Sequence, residues 1–183
     1  MAIINPFSQI QIVLVDKNDK MLGLKEKYAT HKIPVPLHRA ISIVIFNRNK
    51  TEMLITKRAK TKPTWGGFWT NAVCSHPYPE ETYQQAADRR LYEELGFKTP
   101  INEIFKFSYK AEMGKDVATG EKVWGEHELD HVFVGTYEGH ISPNPAEVDG
   151  YEWILTKDLK KDVREKPGKY SPWFKIILKK LGI

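Results

Sequence analysis

The sequence predicts a single domain that contains both helices and strands (α/β in the broad sense, of the α+β class). Its helices are expected to cover a mixed β-sheet. The chain has 183 residues, of which 41% are hydrophobic and 28% charged, which suits one soluble domain with a full core. Segments with strand character dominate, with one amphipathic helix in the middle and two helices at the end. Strands and helices in this proportion are typical of a mixed sheet covered by helices.

The first half of the chain contains two strand pairs. The segment "IQIVLVDKNDKMLGL" at 10–24 predicts a strand, a turn at Asp16–Lys20 and a short second strand. The segment "LHRAISIVIFNRNKTEMLITKRA" at 37–59 repeats this pattern more strongly, with two apolar strands joined by a turn at Asn47–Lys50. These two pairs are expected to begin the sheet.

A helix is predicted in the segment "PEETYQQAADRRLYEELGF" at 79–97. Tyr83, Ala87, Leu91 and Leu95 follow one another at steps of four residues and form an apolar stripe along one face. Gly96 directly after this stripe is typical of the end of a helix.

The second half of the chain continues with strands and ends in helices. Three strands are expected at 103–113, 126–139 and 150–156, and two helices at 156–165 and 171–181. Thr156 and Ser171 stand where an N-cap side chain is preferred, so we expect each of them to cap its helix.

The composition limits the compartment and the partners. The chain has one cysteine, which excludes an internal disulfide and fits a reducing compartment. Its apolar runs are too short to cross a membrane, and residues 1–9 show no basic segment ahead of an apolar one. We therefore expect a cytoplasmic protein without a membrane partner. The net charge of +5 favours an anionic partner weakly.

The predicted central helix resembles the Nudix box, in which carboxylates on one helix face hold magnesium against a diphosphate. Two positions depart from that pattern: Ser75 replaces the glycine, and Arg90 replaces a glutamate. Arg90 lies four residues before Glu94, so the change removes one carboxylate and inserts a cation beside another. Fewer carboxylates bind fewer magnesium ions, so the site should activate water poorly.

Histidines and glutamates elsewhere in the chain could close a metal site. Glu126 and Glu128 are two residues apart on a predicted strand and therefore point to one side, with His127 on the other. Together with three histidines they could bind a divalent transition metal such as manganese or zinc; these are His31, His38 and His76. The remaining histidines, His127, His131 and His140, are interpreted as structural.

Several segments occur in the order and spacing of the type I isopentenyl diphosphate isomerases, a family with the Nudix fold. They are "EKYATH", "LHRAISIVIF", "TKRAKTKPTWGGFWTNAVCSHP", "RRLYEELG", "FSYKA", "GEHELDHVF" and "YSPWF". The resemblance runs from Lys25 to Phe174. The Nudix box of that family has an arginine in place of the same glutamate, as this chain has at Arg90. It implies one Nudix-fold isomerase domain over 1–183, with a Nudix core at about 38–165. The N-terminal strands and the C-terminal helix would complete the site.

The resemblance also implies roles for individual residues. The manganese or zinc ligands would be His31, His38, His76, Glu126 and Glu128. The magnesium ligand that bridges to the substrate diphosphate would be Glu94. The catalytic acid and base would be Cys74 and Glu128, which the sequence places in a loop and a strand. Tyr109 would support the glutamate, and Trp173 would lie over the reacting carbon. The cations near the diphosphate would be Lys27, Arg58, Lys62 and Arg90.

The implied reaction is the reversible conversion of isopentenyl to dimethylallyl diphosphate through a tertiary carbocation. A weakly basic alkene needs a strong acid held in a dry pocket, and a cation is stabilised by an aromatic face. Trp65 and Trp69 could assist Trp173, whereas Trp153 is interpreted as a core residue. The sequence does not decide which of Cys74 and Glu128 delivers the proton.

The sequence argues against two other functions. A Nudix hydrolase of a nucleoside diphosphate derivative would need glutamate at Arg90 and would give Cys74 no role. A basic nucleic-acid-binding module would need a basic face with interleaved aromatic residues, which acidic residues interrupt here. The expected partner is instead a five-carbon diphosphate, bound by a monomer or weak dimer.

Overall fold

The computed structural model describes residues 10–114 and 123–183. The expectation about residues 1–9, that they carry no secretory signal, lies outside this range. Within it the strands are β1 Gln11–Val15, β2 Met21–Glu26, β3 His38–Phe46, β4 Glu52–Arg58, β5 Trp69–Thr70, β6 Val73–Ser75, β7 Ile101–Met113, β8 Trp124–Thr136 and β9 Val148–Leu155. The α-helices are α1 Lys27–Thr30, α2 Tyr83–Leu95, α3 Thr156–Glu165 and α4 Pro172–Leu181.

The described strands form one mixed sheet around β3. Strand β8 runs parallel to β3 along its whole length, from the pair His38–Glu128 to the pair Phe46–Thr136. Strands β1, β6 and β4 each pair with a short part of β3, and these pairings are antiparallel. Strands β7 and β9 extend the sheet beyond β8 and β4.

The two faces of the sheet bury separate apolar cores. Ile41, Ile43 and Ile45 of β3 pack on the side of α2, and Val44 and Phe46 pack on the side of α4. This alternation is what a strand buried on both faces requires. Helices therefore cover both faces, which confirms the predicted mixed sheet between helices.

The end of α2 at Gly96 matches the prediction, but the helix starts at Tyr83 and not at residue 79, and the caps of the last two helices differ from those predicted. Thr82 and Gln85 form a capping box at the start of α2, and Gly96 ends it with a φ of 76° in the left-handed region. Thr156 is the first residue of α3 rather than its cap. Ser171 does stand at the N-cap of α4, but its Oγ hydrogen-bonds Thr70 Oγ1 at 2.9 Å instead of capping the helix.

Three short elements were not predicted from the sequence: α1, β5 and β6. Cys74 therefore lies in a strand and not in the expected loop. It stands opposite Ser42 in the antiparallel pairing of β6 with β3. This pairing fixes the cysteine backbone to the centre of the sheet.

Two of the residues interpreted as structural, His131 and Trp153, have contacts that fit such a role. His131 is buried, stacks on Tyr83 with ring centroids 3.5 Å apart and bonds Glu103 through Nδ1. Trp153 is half-buried against the core on the α2 side. Among the described residues, no helix has both the length and the apolar character that crossing a membrane would need.

Candidate active site

Four separate segments meet at one end of β3 and β8. His31 ends α1, His38 begins β3, and His76 directly follows β6. Glu126 and Glu128 come from the first half of β8, and the parallel register sets Glu128 beside His38. The five residues predicted from the sequence as metal ligands are thus brought together.

The ligand atoms of this group all lie within 4.8 Å of one another. Nε2 of His31 is 3.1 Å from Glu126 Oε2, and Nε2 of His76 is 3.1 Å from Glu128 Oε1. Nε2 of His38 is 3.7 Å from the same Glu128 oxygen. Three imidazole nitrogens and two carboxylates are therefore close enough together to bind one ion.

Backbone carbonyls fix the orientation of two of the imidazoles. Nδ1 of His31 donates to Lys27 O at 2.6 Å, and Nδ1 of His38 donates to Pro36 O at 2.9 Å, because a carbonyl can only accept. In the neutral form of the rings, the unprotonated Nε2 atoms are thus directed to the centre. His38 Nε2 and Glu126 Oε2 are buried without a hydrogen-bond partner. Buried lone pairs of this kind fit a divalent metal ion.

Burial also favours neutral imidazole in the group. It lowers the pKa of His76 well below its usual value, and the neighbouring His31 and His38 lower it further. Neutral imidazole is the form that binds a metal. Burial acts in the same direction on the pKa of His31, but Glu126 outweighs it and raises that pKa.

Glu128 is shared between the histidine group and Tyr109. Its Oε1 faces the histidines, while its Oε2 accepts a hydrogen bond from the Tyr109 hydroxyl at 2.7 Å. Burial and the Glu128 charge raise the pKa of Tyr109 well above its usual value, so the phenol keeps its proton. Burial opposes ionisation of Glu128, but the contact with His38 outweighs it and lowers the pKa of the carboxyl.

The thiol of Cys74 is held from two sides. Its Sγ donates to Asn71 Oδ1 at 3.1 Å and accepts from Trp173 Nε1 at 2.9 Å. Asn71 Nδ2 donates to the carbonyls of Ile43 and Val73, which leaves its oxygen facing the sulfur. Burial raises the pKa of Cys74 to about 12, so the thiol is protonated at neutral pH.

The cations predicted near the diphosphate all line the same cavity. They are Lys27, Arg58, Lys62 and Arg90. Arg58 donates to the Thr64 carbonyl and lies 5.1 Å from the Trp173 ring centroid. Arg90 Nη2 donates to Glu94 at 2.6 Å, in keeping with the helical spacing of the two residues.

One cavity collects most of the predicted site residues. Its lining includes His31, His76, Glu126, Glu128, Cys74, Tyr109, Trp173 and the four cations. His38 and Glu94 are buried and do not line this cavity. Trp65 packs edge-on against Trp173, with ring centroids 5.4 Å apart, whereas Trp69 packs against the core on the α4 side.

Sequence reasoning missed two residues of this site. Glu147 lines the cavity and contacts both Arg90 and Lys62. It lies at the end of the turn "NPAEV", directly before a strand. No motif or spacing in the sequence distinguishes it from other residues at such a position. Asn71 belongs to the singled-out stretch "TNAVCSHP", and its position three residues before Cys74 was the available signal.

Comparisons with known proteins show the family to which the chain belongs. A family model of the NUDIX domain matches residues 36–174. The "Isopentenyl-diphosphate Delta-isomerase 2" of Aromatoleum aromaticum is 39% identical over 89% of this chain and 82% of its own length. The "Isopentenyl-diphosphate Delta-isomerase" of Pectobacterium atrosepticum is 37% identical over 91% of this chain and 88% of its own.

Solved structures support the fold alone, because their sequence identity to this chain is low. DR0079 from Deinococcus radiodurans superposes with a TM-score of 0.66 at 16% identity, over 85% of this chain and 90% of its own. A MutT protein from Methanosarcina mazei superposes with a TM-score of 0.61 at 16% identity, over 79% and 92%. With its sequence relatives and its Nudix fold, the chain belongs to the Nudix family and, within it, to the type I isopentenyl-diphosphate Delta-isomerases.

Proposed function

We propose that this protein is an isomerase that interconverts isopentenyl diphosphate and dimethylallyl diphosphate. The observation that carries this proposal is the arrangement of one cavity. A protonated thiol at Cys74 and an ionised carboxylate at Glu128 line it together with four cations. A proton donor, a proton acceptor and an anion-binding end are the three parts that this reaction needs.

The double bond moves by addition of a proton at one carbon and removal of another proton two carbons away. Cys74 and Glu128 are proposed as the acid and base pair, with Tyr109 holding Oε2 of Glu128. Because the reaction is reversible, each group gives a proton in one direction and takes it in the other. The tertiary carbocation between the two steps must be kept from water, and the buried aromatic wall of the cavity supports this.

Trp173 is proposed to stabilise the carbocation. Its side chain lines the cavity, is 2% exposed and contacts the Cys74 sulfur. An aromatic ring stabilises a desolvated cation by about 2 kcal/mol and offers no nucleophile that could trap it. Trp65 packs behind this ring and supports its position.

The diphosphate is proposed to bind at Lys27, Arg58, Lys62 and Arg90. Arginine offers paired donors that match phosphate oxygens, which gives Arg90 a positive role where the usual Nudix box has a glutamate. The same substitution counts against a hydrolase of nucleoside diphosphate derivatives. Arg90 forms ion pairs with Glu94 and Glu147, so fewer carboxylates are available to hold ions around an attacking water.

Two kinds of divalent cation are proposed as cofactors. Manganese or zinc would be held by His31, His38, His76, Glu126 and Glu128. Such an ion, when bound, would supply a fixed positive charge that orients the Glu128 carboxylate. Magnesium would enter with the diphosphate and reach the protein through Glu94.

The whole chain is proposed to act as one unit, because His31 precedes the expected core at 38–165 and Trp173 follows it. We also propose that the protein is cytoplasmic and takes a five-carbon diphosphate as a monomer or weak dimer, without a nucleic-acid partner. The single cysteine and the ordinary soluble composition support the compartment.

Incubation of the purified protein with isopentenyl diphosphate and magnesium in deuterated water tests the proposal. We expect dimethylallyl diphosphate as the product, and we expect deuterium to be incorporated into both the isopentenyl and the dimethylallyl diphosphate. The matched control is the same incubation with a set of nucleoside diphosphate derivatives, which should stay intact. Release of phosphate or a nucleotide from these compounds, with no deuterium exchange in the five-carbon substrate, would favour the hydrolase.

A further inference from the structure

Glu147 sits among the cations proposed to bind the diphosphate. Its Oε1 accepts a hydrogen bond from Arg90 Nη2 at 2.7 Å, and its Oε2 pairs with Lys62 Nζ. The same Arg90 nitrogen donates to Glu94. Glu147 lines the cavity with 13% of its side chain exposed, so its carboxylate lies where an incoming anion would meet these cations.

The backbone holds Glu147 in this position from both sides. Glu147 N donates to Asn144 O at 2.9 Å, and Glu147 O accepts from Ala59 N at 2.9 Å. The turn itself is tied to α2, because Asn144 N donates to Glu94 O at 2.9 Å. The carboxylate is therefore preorganised against Arg90.

The charges make this contact strong. Burial opposes ionisation of Glu147, but Lys62 and Arg90 outweigh it and lower the pKa of the carboxyl to about 2. Glu147 is thus charged at neutral pH and already neutralises part of the positive end of the cavity. An anion that binds there must compete with it.

We infer that Glu147 is a specificity-determining residue of the diphosphate site. Its carboxylate competes with the incoming diphosphate for Arg90 and Lys62, so the site discriminates against a metal-free diphosphate. A diphosphate whose charge is already reduced by a divalent cation is repelled less by Glu147 and Glu94. This inference rests on the proposed diphosphate substrate and adds which form of that substrate the site selects.

Calorimetric titration of the metal-loaded protein with inorganic pyrophosphate tests the inference, with and without added magnesium. Glu147→Gln keeps the size of the side chain and removes its charge. It should bind metal-free pyrophosphate about ten-fold more tightly than the wild type, the lower end of the coupling between close charge pairs at binding interfaces. Its affinity for magnesium pyrophosphate should change less. The preference of the site for magnesium pyrophosphate over metal-free pyrophosphate should therefore be smaller in the variant.

Glu93→Gln is the matched control. Glu93 pairs with the same arginine, through Arg90 Nη1 at 2.9 Å, but its side chain is 40% exposed and does not line the cavity. This variant should leave both affinities as in the wild type. Glu147→Ala gives a second reading and should shift metal-free affinity in the same direction as Glu147→Gln, with folding checked by thermal melting.

Two results would overturn the inference. One is unchanged or weaker binding of metal-free pyrophosphate to both Glu147 variants. The other is a selective loss of magnesium pyrophosphate binding, which would make Glu147 a magnesium ligand instead. Because the titration measures binding without turnover, it remains readable even if the wild-type protein fails to isomerise isopentenyl diphosphate.

Discussion

The indole nitrogen of Trp173 donates a hydrogen bond to the sulfur of Cys74 at 2.9 Å, across 99 positions of sequence. The contact joins α4 to β6. It places the Trp173 side chain, which lines the cavity, beside the Cys74 thiol. The resemblance to the isomerase family implied an aromatic ring over the reacting carbon but not this bond. Trp173 therefore has two separable features, an N–H group on the thiol and a ring beside the cavity.

Trp173→Phe should lower turnover about ten-fold, since ~1.4 kcal/mol of lost transition-state stabilisation corresponds to that factor. Substrate affinity should stay similar, because the change removes the N–H donor and weakens the ring but keeps most of the apolar area. Steady-state kinetics measures both quantities. Trp153→Phe, which alters a tryptophan packed against the core on the α2 side, should keep near-normal turnover. Reduced stability with unaltered turnover of Trp173→Phe would assign Trp173 to packing alone.

Cys74→Ala should abolish isomerisation and retain the fold. Its free energy of unfolding should fall by about 1–3 kcal/mol, because the buried N–H of Trp173 loses its acceptor. Cys74→Ser restores an acceptor and should recover stability but not activity. Urea denaturation and the deuterium-exchange assay measure the two effects. Near-normal turnover of Cys74→Ala would remove this residue from the mechanism.

Protein purified without chelator should contain one tightly held transition metal per chain, and Glu126→Gln should lose it. The matched control is His127→Gln. His127 lies between the two glutamates but points away and contacts Val35 O through Nδ1, so this variant should keep its metal. Elemental analysis of the three proteins decides. Full activity of the wild type in a strong chelator with excess magnesium would contradict the transition-metal site.

Glu94→Gln should weaken binding of the magnesium complex of the substrate by about ten-fold, equivalent to ~1.4 kcal/mol. It should leave the content of transition metal unchanged, because Glu94 pairs with Arg90 and lies outside the histidine group. Substrate titration and elemental analysis of the same sample separate these effects. Unchanged substrate affinity would argue against a magnesium ligand at this position.

Leu91→Ala should lower the free energy of unfolding by about 2–5 kcal/mol, because it opens a cavity where α2 packs on β3. Tyr92→Ala is the control on the next residue, whose side chain is 55% exposed, and should change stability by about 0.5 kcal/mol or less. Urea denaturation measures both. Equal effects of the two changes would place the packed face of α2 elsewhere.

The long elements could be predicted because their patterns are local. The nearly continuous apolar run of β3 and the four-residue steps in α2 are visible within a dozen residues. The short strands β5 and β6 could not be, because two or three residues carry no period and become strands only by pairing with β4 and β3. The prediction that Thr156 caps α3 was wrong for a related reason. The helix follows β9 directly, and Leu155 at the end of that strand occupies the N-cap position.

The candidate site was predicted largely through a resemblance, since the five proposed ligands span nearly a hundred positions. Their meeting depends on the register of β3 and β8, which no local pattern reveals. Glu147 was missed because its role comes from two cations in other segments, Arg90 and Lys62. A residue of this kind becomes visible only when the turn that bears it is seen against α2.

The parallel pairing of β3 with β8 also governs the order in which the molecule can be built. Strand β8 begins 86 residues after β3 begins, and the segment between them contributes β4, β6 and α2. During synthesis, His31, His38 and His76 emerge long before Glu126 and Glu128, so the early chain holds three imidazoles without their carboxylates. Chains rich in contacts of such large sequence separation fold slowly. The ligand group is complete only after β8 has been synthesised and has paired with β3, so an ion that needs all five ligands is bound only after that pairing.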